Sequence, residues 1–306
     1  MRCLVALALL LASCAAPYVA GTGRLMEFPI REFWANDEIA RWLHSYDWVA
    51  WHSSDLVLQE SPEEVSRLGK EWFCFERENR WHAVYGRYEP DSETYQVVFH
   101  YVYDAETGFQ PADDPAHEEL FVAYGRALRN SLDGIPAAVA ELGIRFNTYI
   151  RPLDDGRLSV WVLPGGQPDG TLIYGGELHF VFDSTGRELL AESRNFSDFY
   201  AASPDAELAL EINRQGNEVP SVGDVFFVLN FRDQFESVTI RTRCFVTRML
   251  EVDGEDAAWV QVHRGTPECG STAGSRRPGE VLDTGQPERE VAEGAAAETG
   301  RPVSLL

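Results

Sequence analysis

The sequence predicts an α+β fold, mostly antiparallel β-meanders with a few helices. Short aromatic and β-branched runs recur through the middle of the chain, as half-buried strands require. The segments between them are brief and carry turn chemistry, such as Glu78-Asn79, Asp91-Ser92 and Asp154-Asp155-Gly156. Strands joined so closely pair as hairpins, since a parallel crossover needs a dozen residues or more. Helical spacing and capping residues are confined to a few places.

The chain opens with Met1-Arg2 and then an apolar run, Leu4 to Ala12. That run is too short for a bilayer span of about 20 residues, so residues 1–13 read as a secretory signal peptide. The run ends in Leu11-Ala12-Ser13-Cys14, four positions that resemble the lipobox of bacterial lipoproteins. The resemblance implies cleavage before Cys14 and lipidation of that sulfur, so the membrane is a partner through the lipid anchor. With Ala15 and no Asp after the Cys, it also implies an outer-membrane location facing the periplasm. A plain signal peptide with Cys14 incidental is the alternative. Residues 14–26 read as the lipidated Cys and a tether, and 27–263 as the folded body. No aromatic follows Trp259, and the remainder is rich in Gly, Pro, Glu, Ala and Arg, so 264–306 reads as a disordered tail.

Within the body, a helix is expected near Asn36–Tyr46. Ser61-Pro-Glu-Glu64 is a capping box with Pro at the first helical position, and Gly69 ends that helix. Strands follow at Trp72–Glu76, Trp81–Arg87 and Tyr95–Tyr103. Apolar residues at helical spacing predict a helix from Asp113 to about Ser131. Phe146–Arg151, Leu158–Leu163, Glu177–Phe182 and Glu188–Glu192 read as strands. Ser203-Pro-Asp then reads as the start of a helix running to about Gly216. Val225–Phe231, Val238–Leu250 and Trp259–His263 complete the strands.

One pattern points to an internal duplication of about 60–108 and 134–186. Pro62, Val65, Leu68, Gly69, Trp72, Phe75 and Arg77 reappear as Pro136, Val139, Leu142, Gly143, Phe146, Tyr149 and Arg151. The offset is 136 − 62 = 74 throughout. Each stretch is a Pro-opened helix, a Gly and a strand. Further on, His100-Tyr-Val-Tyr-Asp104 is echoed by His179-Phe-Val-Phe-Asp183 at an offset of 79. Local convergence of helix–Gly–strand junctions is the alternative.

Strand alternation puts His100 and Asp104 on one face and His179 and Asp183 on one face, each opposite an aromatic row. The aromatic row reads as core. The histidine faces then meet solvent, a covering helix or a cleft between the copies. There His100, His179, Asp104 and Asp183 would be ligand-binding residues, if the histidines approach. The alternative is strand histidines with two aspartates that open turns. Trp48, Trp51 and His52 form either a sugar-stacking platform or core. Arg241 and Arg243 either grip an anion or pair with surplus carboxylates.

The charge excludes a class of partner. The 306 residues hold 49 acidic against 26 basic side chains, a net charge of −23, which opposes phosphate backbones and argues against nucleic acid. Lys70 is the only lysine, so lysine chemistry has one possible position. No Gly-x-Ser-x-Gly, HExxH, P-loop or GxGxxG motif occurs, and neither a metal nor a cofactor is expected. Cys74, Cys244 and Cys269 leave three possibilities: a Cys74–Cys244 bridge, a Cys244–Cys269 bridge that pins the tail, or inert thiols. The sequence reads as an envelope-tethered, non-enzymatic binding or structural module for an unknown ligand or envelope protein. A periplasmic hydrolase acting on glycan or ester substrates is the alternative, with no catalytic residue named.

Overall fold

The computed structural model describes residues 26–112, 118–194, 198–203, 209–252, 255–264 and Cys269. The signal segment, Cys14 and the tail apart from Cys269 lie outside the described residues. The fold is α+β with mainly antiparallel sheets. Helices are α1 (Ile30–Val57), α2 (Pro62–Val65), α3 (Glu118–Asp133), α4 (Ala137–Ala140) and α5 (Val222–Phe231).

Two four-stranded meanders form the centre. The first is β1 (Phe73–Arg77), β2 (Arg80–Glu89), β3 (Thr94–Asp104) and β4 (Gly108–Pro111), in that spatial order. The second joins β5 (Phe146–Pro152), β6 (Leu158–Pro164), β8 (Leu178–Phe182) and β9 (Leu189–Arg194). β7 (Leu172–Gly175) leaves this meander to pair with β10 (Phe199–Ala202). β1 runs beside β5, so the two sheets form one middle layer.

Both faces of that layer are covered. On one side α1 and α5 bury Tyr46, Trp72, Tyr85, Tyr149, Trp161 and Phe226 in a common core. On the other, α3 buries Phe73, Phe75, Val84, Tyr124, Ile150, Phe180 and Phe182. The aromatic rows of β3 and β8 are core as expected, and of the three settings open to the histidine faces a covering helix is the one found for His100, under α3. At a fully buried aromatic such burial contributes several kcal/mol, which is why helices cover both faces at the centre of the layer, while the outer strand β9 stays largely exposed.

A third sheet orders β11 (Ala209–Arg214), β12 (Ser237–Thr242), β13 (Phe245–Val252) and β14 (Glu255–His263). Here three expectations fail. The helix expected over 203–216 is β11 in its described part, and residues 209–214 alternate strictly between exposed and buried. The strand expected at Val225–Phe231 is α5. Its start is a capping box: Ser221 Oγ accepts the Asp224 amide, and the Asp224 carboxylate accepts the Ser221 amide. The mostly apolar stretch Val225–Phe231 is ambiguous in period, and the cap decides it. Finally β11 and β12 pair in parallel, with α5 as their crossover, so the body is not wholly hairpin-built.

Smaller corrections concern length. α1 runs 28 residues, well beyond Asn36–Tyr46, because buried Phe33, Ala40, Leu43, Tyr46, Val49, Ala50, Ser53 and Val57 continue one stripe. Val238–Leu250 is broken between β12 and β13, where Cys244 forms a disulfide with Cys269. This is the tail-pinning pairing, and Cys74 stays free and buried. α3 begins at Glu118, and residues 113–117 lie outside the described set. Gly143 adopts a left-handed φ of 69°, as a helix-ending glycine does, whereas Gly69 does not. Gly69 is instead held by its amide, which donates to the Gly86 carbonyl at 2.8 Å.

Candidate functional site

The four residues singled out from sequence are not brought together. His100 lies on the α3 face of the first sheet. Its ring meets Phe121 of α3 edge-on at 5.9 Å, and its Nε2 is 3.0 Å from His82 Nδ1. Phe75 stacks on His82 at 4.6 Å. His179 lies on the α1 face of the second sheet, stacked on Trp161 at 4.1 Å. The shared site between approaching histidines is thus corrected: the two rings occupy opposite sides of the middle layer.

Asp104 and Asp183 open turns. Asp104 Oδ1 accepts the amides of Glu106 and Thr107. Asp183 Oδ1 accepts the amides of Arg187 and Glu188, while Oδ2 accepts the Thr185 hydroxyl. The Thr185 hydroxyl, with these amides, holds the Asp183 carboxyl below its ordinary range. Arg241 likewise forms a two-point pair with Glu211, so its guanidinium is engaged by one of the surplus carboxylates.

His179 sits in a small polar group. Ser159 Oγ is 2.8 Å from His179 Nε2. Arg151, opposite Ser159 on β5, places its guanidinium carbon 5.2 Å from the Trp42 ring centroid. Burial, and secondarily the Arg151 charge, lower the His179 pKa to about 4. A histidine so acidic is neutral at pH 7 and a weak proton acceptor, poorly matched to drawing a proton from a serine hydroxyl. Ser159 is itself buried. The pair therefore has the spacing of a nucleophile and base without the basicity.

A second polar group, invisible to sequence reasoning, gathers where α1, α5 and β5 meet. Tyr149 Oη donates to Asp47 Oδ1 at 2.8 Å, and Asn230 Nδ2 donates to Asp47 Oδ2 at 3.1 Å. His44 Nδ1 contacts Asn230 Oδ1. Burial raises the Asp47 carboxyl, partly offset by the Tyr149 hydroxyl, His44, Asn147 and Asn230. Asp47 lies 102 residues from Tyr149 and 183 from Asn230, so no local motif announces the group.

Trp48 and Trp51 are exposed at 37% and 44%, which removes them from the core. Trp48 stacks on His52 at 4.0 Å and meets Tyr103 edge-on at 5.0 Å. Phe109 of β4 lies parallel to Trp48 at 6.2 Å, and Trp51 touches His52 at 4.7 Å. Helix α1 and the β3–β4 hairpin thus build an aromatic ledge at the outer edge of the first sheet.

No group of three or more potential metal ligands occurs among the described residues. No helix among them is long and apolar enough to cross a membrane. Neither a family model, nor a curated protein, nor a solved structure matches this chain.

Proposed function

We propose that the chain is a lipid-anchored, periplasm-facing envelope protein whose body is a non-enzymatic glycan-binding module. The observation that carries this reading is the ledge of Trp48, Trp51, His52, Tyr103 and Phe109. Two tryptophans left exposed side by side, Trp48 and Trp51, backed by partly buried His52, Tyr103 and Phe109, mark a contact surface. Indole faces stack on the apolar faces of sugar rings, and a neutral or cationic glycan suits a body of such negative charge. The low basicity of His179 and the enclosed position of His100 speak against the hydrolase alternative.

The body further reads as two copies of one unit, α1–α2–β1 to β4 and α3–α4–β5 to β9. Each is a long helix, a short Pro-opened helix and a four-stranded meander. A pseudo-two-fold axis lying in the layer, between β1 and β5, would turn matched residues to opposite faces. That matches their placement: Trp72 lies in the α1 core and Phe146 against the α3 core, while Phe75 lies in the α3 core and Tyr149 in the α1 core.

The test is a titration of the full chain, held in detergent, with a soluble N-acetylglucosamine oligosaccharide. Saturable quenching of tryptophan fluorescence is expected, weakened roughly tenfold or more in the folded Trp48→Ala, Trp51→Ala double variant. An unresponsive parent chain, or a double variant that binds equally well, overturns the reading. Cys14→Ala is expected to abolish incorporation of radioactive palmitate, and undiminished labelling would refute the anchor.

A further inference from the structure

The α1 face of the second sheet holds a guanidinium without an anion. Arg151 has no carboxylate in ion-pair range among the described residues, and its Nε is buried without a hydrogen-bond partner. A half-buried charge normally recruits a partner, because desolvation is otherwise uncompensated. With 49 acidic residues in the chain, partners were abundant. Trp42 backs the guanidinium, which leaves its edge for a ligand.

The neighbours are donors as well. Arg151 stands opposite Ser159, and on the adjacent rung Trp161 stands opposite His179, so all four share one face. The Ser159–His179 hydrogen bond leaves one donor free whichever way its proton lies. If Ser159 donates to Nε2, the Nδ1–H is free; if Nε2 donates to Ser159, the hydroxyl hydrogen is free. From β9 this face receives Ala191 and Ser193, and from α1 Trp42 and, at Tyr149, Asp47 with His44; of these charged groups Arg151 is the one acting on His179.

We propose that Arg151 and His179, the imidazole held in place by buried Ser159, bind the oxyanion head of a small ligand, a carboxylate or a phosphate ester. The two terminal nitrogens of Arg151 take two oxygens side by side, and the Nδ1–H of His179, whose Nε2 accepts from Ser159, donates to one of them. The site is built on the second sheet and the aromatic ledge on the first, with no residue in common, so either can fail without the other.

Isotope-labelled full chain, observed by NMR in micelles, tests the proposal. Sodium acetate and inorganic phosphate are titrated separately, each against sodium chloride at matched ionic strength. Saturable shifts at the His179 ring and the Arg151 Nε–H are expected with at least one of the two. The bound anion should raise the His179 pKa by about one unit, a tenfold gain in proton affinity. The stronger binder assigns the carboxylate or the phosphate class. Shifts no larger than chloride gives, or shifts that persist in Arg151→Met, overturn the site. Should Arg151→Met fail to fold, Ser159→Ala decides it: several-fold weaker binding supports the site, and unchanged affinity refutes it.

Discussion

In the first meander, His100 is packed under α3 against His82, Phe75 and Phe121. In the second, His179 looks toward α1, half-exposed, beside Ser159 and Arg151. The sequence around the two histidines is nearly the same word, yet His100 is buried under α3 and His179 is only partly buried. Local sequence sets which residues share a strand face, and the position of the covering helix decides what that face becomes. The two sheets also diverge at their edges. The first presents an aromatic ledge on its hairpin, and the second presents a cluster of donors.

The largest effect should come from the core the sheets share. Phe73→Ala in the first sheet and Phe180→Ala in the second each remove a fully buried ring beneath α3. Each is expected to cost about 3–5 kcal/mol, in a single unfolding transition followed by chemical denaturation. Separate transitions for the two sheets would break the picture of one layer.

The next difference is electrostatic. The folded chain holds the His179 pKa at about 4, below the ordinary value of 6.5. The unfolded chain therefore binds a proton that the folded chain refuses between those values. Stability from this residue is complete above about pH 6.5 and declines as pH falls toward 4, by about 3 kcal/mol in total. His179→Gln should remove that part of the pH slope, measured by denaturant unfolding at pH 7 and pH 4.5. An unchanged slope contradicts the half-buried, uncompensated placement of His179.

The helix ends separate the sheets again. Gly143→Ala forces a side chain into a left-handed φ of 69° and should cost about 1 kcal/mol, largely recovered by Gly143→Asn. At Gly69 a Cβ would instead press on Glu71 and the Arg87 backbone, so Asn there should be worse than Ala. Thermal melts of the four variants check the pair. The smallest effect belongs to the turns: Asp183→Ala should cost about 0.5–1 kcal/mol and leave anion shifts at His179 unaltered.

Much of the architecture is legible in the sequence because it is local. The two meanders follow from alternating runs and their turns, and the start of α2 follows from Ser61 and Pro62. The Gly143 helix end is readable in the same way. The misreadings arise where two signals compete. Ser203-Pro-Asp looks like a helix start, but Leu210 and Ile212 alternate into the core and make a strand. Val225–Phe231 looks like a strand, yet the Ser221–Asp224 cap was the better guide. The candidate site was legible only in part. Trp48, Trp51 and His52 are close in sequence and could be grouped at once. Arg151, Ser159 and His179 become neighbours only through strand register, and Asp47 meets Asn230 only through the packing of α1 on α5.

Hydrogen–deuterium exchange of the full chain, with and without the N-acetylglucosamine oligosaccharide, compares the two sheets directly. The glycan-binding reading predicts added protection over residues 48–52 and 103–109 and none over the second sheet. Protection centred on the second sheet, or no protection at saturating oligosaccharide, would contradict it.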